Sequence, residues 1–356
     1  MTNKKNYTVA SFFSGVGGFD YGFHQKNFKI LFANDFWADA AKSFNLNYPE
    51  VPFLQKPIEE ISKKEIKKII GKQKIDVLIG GPPCQCFTRL NNNLLIKQSE
   101  DNKEDKRRTL SKEYIKQVKL LQPKIVLMEN VEDMLIRKNQ EGDLYKDIIE
   151  KEFKDIGYNS YSKIISMDNY GVPQKRKRVI FLATNIKKLI KELDKNINYG
   201  FPDESKKKIF VGKALQKIED NTKLENHSFT ENDPSTLEKI KHIPQGGYYE
   251  HLPDHLKTKK ERGGKLVIVK RYGSYLRRLH PNKVSTTVTN NYMIHPYKDR
   301  YLSNREKAIL HSFPKKYKFY GSEGSISQQI ANAVPPKFAE KMAKKILFLL
   351  ENDCQK

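Results

Sequence analysis

The chain has 356 residues, 38% of them hydrophobic and 30% charged, which is too apolar for a disordered polypeptide and long enough for one large domain plus a smaller one. Its 66 Lys and Arg against 42 Asp and Glu leave a net charge of +24, an excess that favours a polyanion partner, although a Lys-rich compositional bias produces the same number. No apolar run reaches the roughly 18 residues of a membrane span, and the basic Met1–Lys5 start is followed by no apolar stretch, so nucleic acid is expected rather than a membrane. Three cysteines, Cys84, Cys86 and Cys354, form no CxxC pair or Cys/His cluster; neither a disulfide scaffold nor a metal site is expected, and the chain reads as cytoplasmic and reduced.

In chain order, Tyr7–Phe13 is β-rich and ends in Ser14-Gly15-Val16-Gly17-Gly18, too glycine-rich for the interior of a strand or helix. Lys29–Asn34 is a second short strand with Asp35 at its end. Ile58, Ile61, Ile66, Ile69 and Ile70 recur at helical spacing before the Gly71 stop. Asp76–Ile79 reads as a buried strand broken by Gly80-Gly81-Pro82-Pro83. Arg89–Arg108 is polar, without lasting periodicity, and reads as a long functional loop. Leu110, Tyr114, Ile115, Val118 and Leu121 form a helix face; Ile125–Met128 and Arg178–Ala183 are strand-like. Apolar strands alternating with helices predict an α/β fold, a mostly parallel sheet covered on both faces. Residues 185–283 change character, to Lys, Glu, Asn, His and Gly, and are expected to form a small domain between a 1–184 catalytic domain and a 284–356 return segment. The last helix starts after Pro335-Pro336 with Phe338, Met342 and Ile346 on one face.

Four constellations can carry chemistry. The glycine turn after the first strand allows close backbone approach by a ligand, or is simply a tight turn; Asp35, 17 residues after Gly18, lies at the distance from which an acid accepts hydrogen bonds from a ribose. The Gly80–Thr88 segment holds Cys84 rigidly after two prolines at the end of a buried strand, where catalytic groups of open parallel sheets gather; a structural cysteine in a turn is the alternative. Glu129-Asn130 ends the next strand, as a solvated pair or, beside Cys84, as a proton donor or acceptor. In Gln174–Arg178, alternation puts Gln174, Arg176 and Arg178 on one face and Lys175 and Lys177 on the other, either as a basic edge strand or as a face that touches phosphates or a ligand.

These residues resemble the DNA cytosine C5-methyltransferases of prokaryotic restriction-modification systems. Phe13–Phe19 (FSGVGGF), Pro83-Cys84-Gln85, Asp105/Arg107/Thr109/Leu110, Glu129-Asn130-Val131, Tyr170–Arg178 (YGVPQKRKR), Ile243–Gly247, Ser285–Thr289, His295-Pro296, Leu302–Glu306, Ser312–Pro314 and Gln329–Pro336 have family counterparts in the same order. The resemblance covers nearly the whole chain outside about 185–240 and 248–275. It implies the Rossmann-like fold of S-adenosylmethionine-dependent methyltransferases, with the cofactor, later released as S-adenosylhomocysteine, held by Phe13, Ser14, Gly15, Gly17, Gly18, Asp35, Phe36, Pro83, Leu110 and Asn332. It makes Cys84 the nucleophile at cytosine C6, Glu129 the group at N3, Asn130 the residue that fixes the loop, Arg176 the O2 ligand and Arg178 a positioning group. The partner is double-stranded DNA, met as a monomer, with a cognate endonuclease acting separately. DNA contacts are expected from Gln85, Thr88, Arg89, Gln174, Lys270, Arg271, Tyr272, Arg277 and Arg278.

The sequence departs from the family in three places. Pro57 stands where an acid toward the adenine amino group is expected, the Phe87–Asp105 stretch is long, and Phe87-Thr88-Arg89 matches the sister group that methylates tRNA cytosine. That group's additional cysteine motif is absent, and Asn332–Pro336 favours the DNA enzymes. A tRNA methyltransferase and a catalytically silent DNA-binding protein are the alternatives to a site-specific DNA enzyme.

Overall fold

The computed structural model describes residues 6–83, 110–139, 141–216, 218, 223–229, 232–269, 276–289 and 293–353. The chain divides into two compact units, one of residues 1–170, 177–204 and 333–356, the other of 171–176 and 205–332.

The first unit is built on a seven-stranded sheet in the order β3-β2-β1-β4-β5-β7-β6. Its strands are β1 (Thr8–Phe12), β2 (Lys29–Asn34), β3 (Phe53–Leu54), β4 (Val77–Gly80), β5 (Ile125–Val131), β6 (Asn159–Ser166) and β7 (Lys177–Thr184). The pairings from β3 to β5 are parallel, whereas β7 runs antiparallel to both β5 and β6. The near-continuous burial of β1, β4 and β5 matches their mostly apolar sequences, as expected for central strands covered on both faces, with Ser11, Glu129 and Asn130 as buried polar members. β6 is absent from the sequence expectation for the opposite reason: NSYSKIIS is polar and mostly half-exposed, an edge strand.

Helices α1 (Gly18–His24), α2 (Ala38–Asn47), α3 (Lys63–Ile70), α4 (Leu110–Leu121), α5 (Tyr145–Asp155), α6 (Lys187–Lys195) and, from the C-terminus, α11 (Pro336–Asn352) complete this unit. The isoleucine series does not form one helix. Ile58–Glu60 is a short 3-10 turn, Ile61 is extended, and Ser62 caps α3 by accepting from Glu65 N; a serine that satisfies an orphan helix N–H starts a new helix there. Against α1, α11 packs so closely that a Cβ on Gly22 would lie 2.1 Å from the Ala339 carbonyl carbon. Tyr114 of α4 donates to Leu127 O at 3.0 Å, inside a core that includes Phe12, Phe32, Leu78, Val126, Met128 and Phe181.

The second unit holds α7 (Val211–Leu215), α8 (Pro234–Lys241), α9 (Asn304–Leu310) and α10 (Glu323–Asn332), the exposed hairpin β8 (Lys259–Arg262) and β9 (Lys265–Ile268), and the short parallel pair β10 (Arg277–Arg278) and β11 (Met293–Ile294). Its small core gathers Ile240, Ile243, Tyr249, Leu252, Leu276 and Ile294. The boundaries differ from the compositional ones at 185 and 283. Leu189 and Leu193 of α6 are buried and Tyr161 donates to Asp194 at 2.6 Å, which ties residues 187–204 to the sheet unit. His227 bonds Ser303 at 2.8 Å and Arg305 donates to Glu225 O at 2.9 Å, which ties the segment after 283 to the second unit.

Candidate active site

The first corner of the site is the β1–α1 turn. Phe13, Gly15 and Gly17 have φ of +52°, +53° and +86°, a left-handed backbone that glycine adopts without strain and a phenylalanine does not. Hydrogen bonds hold this conformation. Ser14 N donates to Asn34 O at 2.9 Å, and the Ser14 hydroxyl donates to Ser11 Oγ at 2.8 Å while accepting from Asn34 N at 3.2 Å. Asp35, just past β2, accepts from Gly15 N at 2.9 Å and Trp37 N at 3.0 Å. Burial lifts its carboxyl above the ordinary aspartate value, and the N–H groups of Trp37, Gly15 and Phe36 oppose the shift. Phe36 is 64% exposed. A carboxylate with hydroxyl-accepting capacity, an open aromatic face and a backbone bare of side chains are what a nucleoside with a charged tail requires.

The second corner lies at the ends of β4, β5 and β7. Asn130 Nδ2 donates to Pro82 O at 3.2 Å, its Oδ1 accepts from Val131 N at 2.9 Å, and a Cβ on Gly81 would sit 3.4 Å from Glu129 Oε2. Asn130, buried like Glu129, therefore ties down the segment after β4 that leads into position 84. In the antiparallel register Glu129 faces Ile180 and Val131 faces Arg178, so Glu129 and Arg178 share a face. Arg178 Nε reaches Glu129 Oε1 at 3.0 Å. That oxygen is buried without an aligned hydrogen bond among the described residues, a carboxylate held by charge with a lone pair still directed elsewhere.

Cys84, Gln85, Thr88, Arg89, Lys270, Arg271 and Tyr272, and the loop from Phe87 to Arg108, lie outside the described residues. Pro83 is half-buried at the end of its turn and Leu110 opens α4. Arg176 and Asn332 belong to the second unit, Arg176 buried and Asn332 at the end of α10, accepting from Gln328 Nε2 at 2.6 Å.

Two expected DNA contacts are corrected. Gln174 is fully buried, donating to Leu310 O at 3.3 Å, bonding His311 Nδ1 at 2.8 Å and accepting from Val288 N at 2.8 Å. Arg278 spends its guanidinium internally, on the carbonyls of Ile243, Ile240, His295 and Lys298 and on Asp299 Oδ1 at 2.6 Å. Gln174 thus serves a helix-end carbonyl, a ring nitrogen and a backbone N–H inside the unit, and Arg278 serves buried carbonyls that need donors. Arg277, on the opposite face of β10, is half-buried, its guanidinium carbon 4.9 Å from the centre of the Tyr248 ring.

Two further residues carried no distinct signal in the sequence. Asp20, in the first turn of α1, is fully buried, and neither carboxylate oxygen has an aligned hydrogen bond among the described residues; burial raises its pKa to about 7, offset in part by the Ser11 hydroxyl. Tyr248 directly follows the Ile243–Gly247 segment of the family resemblance, which does not mark the tyrosine itself. Among the described residues no group of three or more His, Cys, Asp or Glu side chains is placed to hold a metal ion, and no helix is long and apolar enough to cross a membrane.

The sheet order, with its antiparallel β7, and a nucleoside-type corner beside a carboxylate corner define an S-adenosylmethionine-dependent methyltransferase fold. A DNA modification methyltransferase of provisional assignment, encoded within an Escherichia coli prophage, shares it with a TM-score of 0.74 at 21% identity, over 98% of this chain and all of that one. The sequence model of the C-5 cytosine-specific DNA methylases matches residues 7–347, and the chain belongs to that family. Its relatives include the type II methyltransferases M1.HphI of Haemophilus parahaemolyticus, 30% identical over 97% of this chain and 88% of the relative, and M.DdeI of Desulfomicrobium norvegicum, 28% identical over 97% and 89%. The chain is thus a DNA (cytosine-5) methyltransferase.

Proposed function

We propose that the chain methylates C5 of a cytosine extruded from a specific double-stranded DNA sequence, with S-adenosylmethionine as donor and Cys84 as covalent catalyst. The observation that carries this reading is the Asn130–Pro82 hydrogen bond, made next to the buried Glu129 carboxylate and on the segment leading into the cysteine.

The residues fit the cofactor. Asp35 is the acceptor for the ribose hydroxyls, Phe36 the face for adenine, and the Phe13–Gly18 turn the cradle for the methionine part, with Pro83, Leu110 and Asn332 as further contacts. When bound, S-adenosylmethionine supplies an electrophilic methyl group and is released as S-adenosylhomocysteine.

C5 of cytosine is a poor nucleophile. Addition of the Cys84 thiolate to C6 forms an S–C6 bond and makes C5 the electron-rich end of an enamine. Glu129 holds the proton at N3 so that negative charge does not collect on the ring. Arg178 fixes the orientation of Glu129, Arg176 binds O2, and Asn130 aims the turn. Once C5 carries the methyl group, loss of its proton expels Cys84 and restores the aromatic ring. Neither ring atom is accessible in a stacked pair, so the base leaves the helix at a cost of a few kcal/mol. The phosphate contribution comes from the +24 net charge, with Gln85, Thr88, Arg89, Lys270, Arg271 and Tyr272 as further DNA contacts. The chain works as a cytoplasmic monomer at the nucleoid, apart from any partner endonuclease.

Bisulfite sequencing of DNA from methylation-free cells that express the chain tests this. Modified cytosines in one sequence context, lost in Cys84→Ala, are expected, along with a stable adduct on duplex that carries 5-fluorocytosine at the target. Unmodified DNA, methyl incorporation into tRNA alone, or an active Cys84→Ala variant would sink the reading.

A further inference from the structure

Arg277 and Tyr248 are brought together by an unusually constrained piece of the second unit. Gly246 has φ +80°, Gly247 N donates to Pro244 O at 2.8 Å, and Gly247 O accepts from Arg278 N at 3.0 Å. The Arg278 guanidinium is locked by its internal acceptors, with Nε to Ile243 O and Nη2 to Ile240 O both at 2.7 Å. Successive strand residues point to opposite faces, so anchoring Arg278 inward directs Arg277 outward, onto the Tyr248 ring at 4.9 Å. That ring is braced in turn by His251, edge-on with ring centres 5.0 Å apart.

A phosphate contact needs only charge, and a mobile surface lysine supplies it. A guanidinium laid on an aromatic face is different: its plane is set, its rotamer freedom is already reduced, and its paired N–H groups keep a fixed direction. This is the form in which arginine pairs with the O6 and N7 acceptors of guanine in the major groove.

Building on the reading of the chain as a sequence-specific DNA enzyme, we propose that Arg277, held by Tyr248, is a base-reading arm of the second unit that recognises a guanine of the target sequence. Arg277 is thereby a determinant of specificity and Tyr248 its positioning residue.

The test compares genome-wide bisulfite profiles from cells expressing the full-length chain and its Arg277→Lys, Tyr248→Ala and Tyr248→Phe variants. Lysine keeps the charge and loses the fork. The expected result is that Arg277→Lys and Tyr248→Ala relax discrimination at one guanine position by about tenfold or more, and that Tyr248→Phe, which keeps the ring, restores it. An unchanged consensus, with methylation weakened equally at all sites and a shallower salt dependence, makes Arg277 a phosphate clamp and overturns the proposal. Should the variants fold poorly, the wild-type protein gives the same answer on oligonucleotides in which each guanine of its site is replaced by 7-deazaguanine. One position must then lose about tenfold, and its absence overturns the proposal. If the wild-type chain produces no 5-methylcytosine at all, what fails is the reading of the activity, visibly so before any variant is compared.

Discussion

Asn130 donates its side-chain amide to the carbonyl of Pro82 at 3.2 Å, so the end of β5 holds the end of β4 by a bond that neither strand makes through its own ladder. The residue next to Asn130 is Glu129, and the residue two places beyond Pro82 is Cys84. One side chain thus ties the strand that carries Glu129 to the segment after β4, and the consequences can be measured.

Asn130→Ala removes the donor and leaves the buried Pro82 carbonyl unpaired, at a cost of about 1–3 kcal/mol. The expected outcome is a lower melting temperature and a kcat reduced at least tenfold, with KM for DNA changed little, in a tritiated methyl-transfer assay. A kcat equal to wild type would show that the turn is held without this bond.

Glu129→Gln keeps the size of the side chain and removes its charge and proton. Loss of a positioned acid–base group costs about 10²–10⁴ in rate, so methyl transfer should fall by that factor. Binding of S-adenosylhomocysteine, measured by calorimetry, should persist, because the Asp35–Gly15 corner is built separately. Joint loss of both would place Glu129 in the framework and not in the chemistry.

Asp20 makes stability pH-dependent. Its folded pKa of about 7 lies above the unfolded value near 3.8, so between those limits the folded chain holds the extra proton and stability falls as pH rises from about 4 to about 7. Asp20→Asn, neutral at every pH, should match wild type near pH 4 and exceed it at pH 8 by on the order of a few kcal/mol. Urea unfolding of both proteins across that range is the measurement; parallel curves would show that Asp20 is ionised throughout.

Arg278→Ala should unfold the second unit rather than weaken DNA contacts. Removing one member of a buried charged network costs about 3–5 kcal/mol, here with the carbonyl of Ile243 losing its side-chain donor. Proteolysis should cut within 205–332 while the sheet unit survives. A well-folded variant with only a reduced salt dependence of DNA binding would return Arg278 to the duplex.

Gly22→Ala should loosen the C-terminal helix. The added Cβ would stand 2.1 Å from the Ala339 carbonyl carbon, a clash that only movement of α1 or α11 relieves, at about 1–3 kcal/mol or more. Hydrogen exchange in α11 should rise, and an unchanged pattern would refute the contact.

The central strands are legible in the amino-acid order, because β1, β4 and β5 are buried on both faces and are mostly apolar. Ser14–Gly18, Asp35, Pro83 and Glu129-Asn130 likewise mark the ends of β1, β2, β4 and β5, since glycine, proline and acids interrupt apolar runs where a chain turns or binds. The fates of the polar residues come instead from packing between distant segments. Gln174, Arg176, Arg277 and Arg278 share a polar, mostly basic character in the sequence, yet Gln174 and Arg278 are engaged by internal backbone and side-chain partners and Arg277 lies over Tyr248. The same holds for edge strand β6, whose pairing comes from β7, and for Asp20, an ordinary first-turn acid made unusual by the burial around it. Hydrophobic pattern is local and survives in one dimension; whether a polar group meets water, a carbonyl or a ring depends on residues far along the chain.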